Sequence, residues 1–155
     1  RIWTAEPENH DDWARSLEAK KIVSNAPGTR SFCDAILTPA PGDLTFALGS
    51  RLLSGGLRAS DADVRSAMQS AFRCLKIVAE PGGAAALAAA LHHLPEDVKG
   101  KRVGVMVTGG NVDPQMFAEI LTASVGSSLN IHGQSVNLLA AEIVVAWLMR
   151  SSDPG

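Results

Sequence analysis

The stretch RVGVMVTGGNVDPQMF, from Arg102 to Phe117, constrains the fold more than any other part of the chain. Val103 to Val107 is apolar and rich in β-branched residues, as a strand buried on both faces of a parallel sheet must be. The run stops at Thr108-Gly109-Gly110-Asn111, where two glycines permit a tight turn and a close approach of backbone to a ligand. A helix start follows at once, with Asp113 placed to cap it and Pro114 at its first position. Strand, glycine turn and helix in succession are the unit of an open α/β sheet. Ligands of such sheets sit beyond the carboxyl ends of the strands, next to helix N-termini that favour anions. From this segment alone a ligand site and a plain strand-to-helix turn both stay open.

The remainder of the chain alternates in the same way. Ile2 to Ala5 reads as a short strand ended by Glu6-Pro7, because proline removes a backbone donor and disfavours helix at its neighbour. A helix is expected from Asp11 to Ala19, then a proline- and glycine-rich loop from Asn25 to Asp43 with one short ordered piece near Cys33 to Leu37. Leu44 to Leu53 reads as a helix ended by Gly55-Gly56. Ser60 and Asp63 have capping-box spacing, and Val64, Met68, Ala71, Phe72 and Leu75 recur along one helical face up to about Lys76. Ala84 to Leu94 is a second helix whose small residues suit close packing on a sheet.

Composition narrows the function classes. Fourteen basic residues oppose sixteen acidic ones in 155, for a net charge of −2, and neither sign forms a block. Nucleic acid or an anionic membrane calls for a clustered basic face, so neither is an expected partner. The longest apolar run, Leu138 to Met149, is interrupted by Glu142 and falls short of the ~20 residues that span a bilayer. It reads as an apolar helix, either a docking segment or read-through from a shifted frame. No basic start, apolar middle and cleavage site combine into a secretion signal. Cys33 and Cys74 match no metal or redox spacing and read as small buried thiols of a reducing, cytoplasmic setting. His92 and His93 are not a metal pair, since adjacent helical side chains point about 100° apart. Because the chain opens with Arg1 inside a strand, a fragment of something longer is expected.

Several segments resemble, in order and spacing, the C-terminal half of the serine/threonine dehydratases: EPENHDD, SNAPGTRSFCDAIL, PGDLTFAL, ASDADVRSAM, IVAEPGGAAALAAAL and KGKRVGVMVTGGNVD. That family includes threonine ammonia-lyases, serine racemases and hydroxyaspartate dehydratases, all pyridoxal-phosphate (PLP) enzymes of fold type II. The resemblance runs from Arg1 to about Leu121 and leaves 122–155 as an unassigned tail. It implies a three-layer α/β fold with an open, mostly parallel sheet, the second half of the large domain. It also implies β-elimination of a 3-hydroxy amino acid such as L-serine or L-threonine, giving a 2-oxo acid and ammonia.

The resemblance assigns roles by position. Thr108 matches the hydroxyl that hydrogen-bonds the pyridine nitrogen, with Thr in place of the commoner Ser. A neutral hydroxyl does not keep that nitrogen protonated as a carboxylate would, which suits β-elimination. Gly109, Gly110 and Asn111 complete that turn, and Glu80 matches a glutamate near the ring. As an acid at a helix N-terminus, Glu80 is equally accounted for by the helix dipole. Ala35 stands where the family often has glycine, and its methyl group narrows the pocket. In several relatives the EPENHDD segment holds Mg²⁺ or Ca²⁺, here through Glu6, Asp12 and the carbonyl of His10. Two carboxylates with water suffice for such a cation, although a solvated acidic loop before a helix also explains them.

The family's Schiff-base lysine, substrate loop and glycine-rich phosphate cradle belong to the other half. Lys20, Lys21, Lys76, Lys99 and Lys101 stand in none of the family's catalytic context. The expectation is therefore a chain inactive by itself. Two alternatives accompany it: a non-catalytic partner that completes a separate N-terminal half or joins a homo-oligomer, and a small-anion or nucleotide-binding module that reuses the glycine turn.

Overall fold

A computed structural model describes residues 1–98, 100–123 and, for its backbone, 141–147. It begins with β1 (Trp3–Pro7), α1 (Asp12–Ala19), α2 (Asp43–Leu52) and β2 (Gly55–Ala59). There follow α3 (Asp61–Ser70), α4 (Pro81–His92), β3 (Lys101–Val107), α5 (Pro114–Thr122) and β4 (Ala141–Trp147). The expected α/β class with parallel strands is present. Among the described residues the strands form two parallel ribbons. In one, β1 lies beside β2 with Trp3 opposite Gly55 and Pro7 opposite Ala59. In the other, β3 lies beside β4 from Lys101–Ala141 to Val107–Trp147.

Helix α4 ties the ribbons together, because it packs on β1, β2 and β3 as well as on α3. Its sequence explains this role. Alanine at six of its twelve positions gives high helix propensity without bulk, so both strands and a helix can approach it. The core that results joins Ala84, Leu87 and Ala88 of α4 to Val64 and Met68 of α3, Val107 of β3 and Ile120 of α5. Val64, Met68 and Val107 are fully buried, each contributing on the order of 1.5–3 kcal/mol of hydrophobic free energy.

Helix α3 starts as its sequence dictates. The Asp63 amide donates to the Ser60 hydroxyl over 3.1 Å, and the Ser60 amide donates to the Asp63 carboxylate over 2.9 Å. His93, at the end of α4, contacts the same carboxylate at 2.9 Å and so links two helix termini. Burial tends to raise the Asp63 pKa, but the bonds from Ser60 and His93 outweigh it and hold the carboxyl at about 2.

Several expectations are corrected. The face of α3 does not continue unbroken: a π-helical turn at Ala71–Leu75 shifts the phase, and Phe72 and Leu75 are exposed. Lys76 then ends the helix in the left-handed conformation. Gly55-Gly56 is not just a helix terminator but the start of β2. A Cβ on Gly56 would lie 2.5 Å from the Cβ of Ala14, so the glycine is there to let α1 lie against the strand. The apolar helix expected over Leu138 to Met149 is instead strand over Ala141–Trp147, in keeping with its Ile-Val-Val centre. The rest of that segment, like Lys99, lies outside the described residues. Cys33 is buried, and burial pushes its thiol up to about 11, whereas Cys74 is exposed on the π turn. His92 and His93 are both exposed.

Replacing Gly56 with Val should destabilise the fold by about 1–3 kcal/mol through overpacking on Ala14, read as a lower midpoint in urea. Asp63 is depressed from 3.8 to about 2 in the folded chain, so its contribution is complete above the unfolded pKa and disappears as pH falls through the folded one. The stability difference between the native protein and Asp63→Asn should therefore shrink by about 2 kcal/mol between about pH 5 and about pH 2. A constant difference across that range would contradict the assignment.

Candidate functional site

Two chain segments meet at the carboxyl end of β3. One is the turn Thr108 to Asn111, and the other is the first turn of α4. Their backbones touch: the Glu80 amide donates to the Gly109 carbonyl over 3.0 Å. A Cβ on Gly83 would stand 2.5 Å from that carbonyl oxygen and 2.8 Å from the Gly109 nitrogen. No other residue permits this approach. The space a side chain on Gly109 would need is taken by the Glu80 carboxylate. Glu80 is the N-cap of α4, yet its side chain makes no capping hydrogen bond; it lies over the glycine turn instead.

Ala35 reaches the same place from the other side. It sits in a single 3₁₀ turn, Asp34–Ile36, anchored by the buried Cys33. A Cβ on Gly82 would contact the Ala35 methyl at 3.3 Å, so Ala35 borders the first turn of α4. Thr108, Gly110 and Asn111 occupy the open side of the turn and are exposed, with Gly110 set close against the Val78 carbonyl. Helix α5 then starts as its sequence requires, with the Asp113 carboxylate accepting from the Met116 amide over 2.8 Å.

The turn is thus a shelf of bare backbone with one hydroxyl at its edge and one carboxylate over it. A flat ring can approach the Thr108 hydroxyl without meeting a side chain from Gly109 or Gly110. The residues present fit a PLP ring in this respect. Gly82 and Gly83 were not assigned from sequence, although their place next to Glu80 in EPGG was the available signal. Lys76 comes nearest in sequence among the described lysines, two residues before Val78, and its ammonium donates to the Arg73 carbonyl over 2.8 Å. Lys20 and Lys76 end helices, and Lys101 opens β3 at the end opposite Thr108.

The acidic segment after β1 forms a separate cluster. Glu6 accepts from the Trp13 and Ala14 amides at 3.0 and 2.9 Å, so its carboxylate covers the N-terminus of α1. Burial raises its pKa to about 7 against those two bonds, and the Asp12 and Asp11 charges push the same way. Asp12 is 1% exposed; one oxygen accepts from Asn25 at 2.7 Å, and the other has no hydrogen-bond partner. The His10 ring faces the Thr29 hydroxyl at 3.2 Å, and its amide donates to Pro7. Asp11 is different: burial is outweighed by Arg58 and Arg15, which hold its carboxyl low. No group of three His, Cys, Asp or Glu side chains among the described residues forms a metal cage. An unpartnered buried carboxylate oxygen beside a second carboxylate nevertheless fits a hard cation that also takes a carbonyl and water.

The two glycine contacts predict different outcomes. Gly83→Ala meets backbone that cannot yield and should cost about 1–3 kcal/mol of stability. Gly109→Ala meets only the end of the Glu80 side chain, which can swing away, so its cost should be clearly smaller. Urea midpoints for the two variants test the order.

Comparison with known proteins agrees with this geometry. The profile of the family described as pyridoxal-phosphate dependent enzyme matches residues 1–109. A β-hydroxyaspartate dehydratase of Paracoccus denitrificans is 45% identical over 114 residues, 73% of this chain and 35% of that protein. An L-threonine ammonia-lyase of Thermotoga maritima is 34% identical over 121 residues, 78% of this chain and 29% of that protein. The structure of maize serine racemase superposes with a TM-score of 0.68 at 34% identity, covering 77% of this chain and 37% of that one. The chain thus spans about a third of the length of the relatives it matches. With its parallel strands, its bare glycine shelf and this match over most of its length, the chain belongs to the fold type II family of pyridoxal-phosphate-dependent enzymes.

Proposed function

We propose that the chain provides one wall of the cofactor site of an ammonia-lyase acting on a 3-hydroxy amino acid. The observation that carries this reading is the backbone contact between the first turn of α4 and the Thr108–Asn111 turn, which leaves the shelf open to a ring. When bound, PLP supplies the electron sink for loss of the α-proton and β-hydroxyl, leading to a 2-oxo acid and ammonia. Thr108 holds the pyridine nitrogen through a neutral hydrogen bond. Gly109 and Gly110 admit the ring, Asn111 closes the turn, and Glu80 and Ala35 line the side. Glu80, over the turn, would bring an acceptor into a pocket from which the Ala35 methyl removes space.

The chain contains no lysine in a position to hold the cofactor among the residues assigned to the shelf, so the isolated chain should be without turnover. The test is 2-oxo acid release from L-serine and L-threonine with added PLP. No release is expected; release that disappears in Thr108→Asp would overturn the proposal that the complementary part of the fold is required. The relatives' greater length favours a second reading within the same frame, in which the chain completes a partner or a second copy. In that reading residues 1–121 form the enzyme-like part, and 122–155 add β4, which pairs with β3 of the same chain.

For the Glu6, His10 and Asp12 cluster the proposal is a structural Mg²⁺ or Ca²⁺ that occupies the unpartnered Asp12 oxygen. The melting temperature should rise in millimolar Ca²⁺ or Mg²⁺, and Asp12→Asn should abolish the rise. A native chain indifferent to both ions would remove the cation from the proposal.

A further inference from the structure

The loop between α1 and α2 returns on itself, and one residue closes its neck. The Asn25 backbone amide donates to the Pro39 carbonyl over 2.8 Å, and its side-chain amide donates to the Thr38 carbonyl over 3.0 Å. The same side-chain amide donates to Oδ1 of Asp12 over 2.7 Å, and the Asn25 side-chain oxygen accepts from the Arg15 guanidinium. The outgoing limb of the loop has anchors of its own. The Thr29 hydroxyl faces the His10 ring at 3.2 Å, the Ser31 hydroxyl donates to Asp61 over 2.6 Å, and Cys33 is buried in the core. The returning limb is held differently: among the described residues, the hydrogen bonds that reach Leu37 to Pro41 come from Asn25. Between the limbs stands the 3₁₀ turn that carries Ala35 and Ile36 to Gly82. A loop pinched at its ends in this way is often a functional one.

We propose that Asn25 is a positioning residue that carries the state of the Asp12 carboxylate to the Ala35 wall of the shelf. This rests on the cation proposed at Asp12 and on the place given to Ala35, and it assigns a residue that neither reading uses. Asp12 is 1% exposed, and with Oδ2 unpartnered its carboxylate is held by hydrogen bonds from one side only. The last torsion of an aspartate is broad, so the carboxylate can turn and take Oδ1 out of line with the Asn25 amide. A cation on Oδ2 fixes the plane and keeps Oδ1 aimed. Hydrogen bonds to a charged acceptor are about twice as strong as neutral ones, and they weaken steeply with misalignment. The two hydrogens of the Asn25 amide lie on one planar group, so fixing the bond to Asp12 also fixes the bond to Thr38. The neck then opens less often, and the turn Asp34–Ile36 stays against Gly82. Two sites that bias the same element are coupled, typically by ~5–150-fold.

The test uses the full chain without cofactor, with and without millimolar Ca²⁺. Hydrogen exchange is read at the amide of residue 25 and at the Ile36 amide, which donates to the Cys33 carbonyl over 3.1 Å. The Met68 amide, on the buried face of α3, is the reference for stabilisation of the whole fold. Ca²⁺ should slow exchange at residue 25 and at Ile36 by about fivefold or more beyond any change at Met68. In Asn25→Ala the ion should still raise the melting temperature, while Ile36 merely follows Met68. Asn25→Ser, whose single hydroxyl hydrogen cannot serve Asp12 and Thr38 together, gives the same comparison should the alanine variant not fold. Equal extra slowing at Ile36 in the native chain and the variant would overturn the proposal, since the loop would then be ordered without Asn25. A melting temperature raised by Ca²⁺ with no extra slowing at Ile36 in the native chain would also overturn it, and would leave the cation in place. A native chain whose melting temperature and exchange both ignore Ca²⁺ would remove the cation, and this coupling with it.

Discussion

The backbone contact between Gly83 and Gly109 is the constraint from which the rest of the structure follows. Helix α4 can descend onto the end of β3 only because Gly83 has no side chain where it meets the Gly109 backbone. That approach sets the height of the helix over both ribbons. It brings Glu80 over the turn, puts Gly82 against Ala35, and lets the alanines of α4 pack with Val64, Met68 and Val107. Burial of the core and shaping of the shelf are therefore one event. The shelf is preorganised by packing that would be needed for stability in any case.

Much of this was legible in the sequence because it depends on local rules. The capping box at Ser60 and Asp63, the proline start at Pro114 and the β-branched run in β3 each announce themselves within a few residues. The strand-turn-helix unit was legible too, although two glycines before a capped helix suit a plain turn as well as a ligand site, and only the resemblance pointed to a cofactor. What was not legible depends on distant neighbours. Gly55-Gly56 has the local look of a helix terminator, and only Ala14, far away in the chain, makes Gly56 a strand residue. Ala141–Trp147 carries an apolar pattern that suits helix or strand, and the open edge of β3 decides it. The π turn after α3 changes the phase of a face that sequence periodicity assumes to be continuous.

The two polar clusters illustrate a difference in how buried charge is handled. Asp11 has Arg15 and Arg58 as partners, so its charge is stabilised where it stands. Glu6 and Asp12 have backbone amides and one asparagine, and one Asp12 oxygen has nothing. Charged groups out of water are tolerated when paired or coordinated. The first cluster is complete within the chain; in the second one buried Asp12 oxygen is left without a hydrogen-bond partner.

The registers of the two ribbons bear on how the molecule is made. Trp3 lies opposite Gly55, and Lys101 opposite Ala141, so neither ribbon is a hairpin and each closes a long loop. Closing such loops is costly until helices have shortened the path between the partners. Helices α1 and α2 shorten the path from β1 to β2 and so lower that cost. During synthesis β2 follows β1 by some fifty residues, so the edge that β2 covers stays open to other chains over that interval.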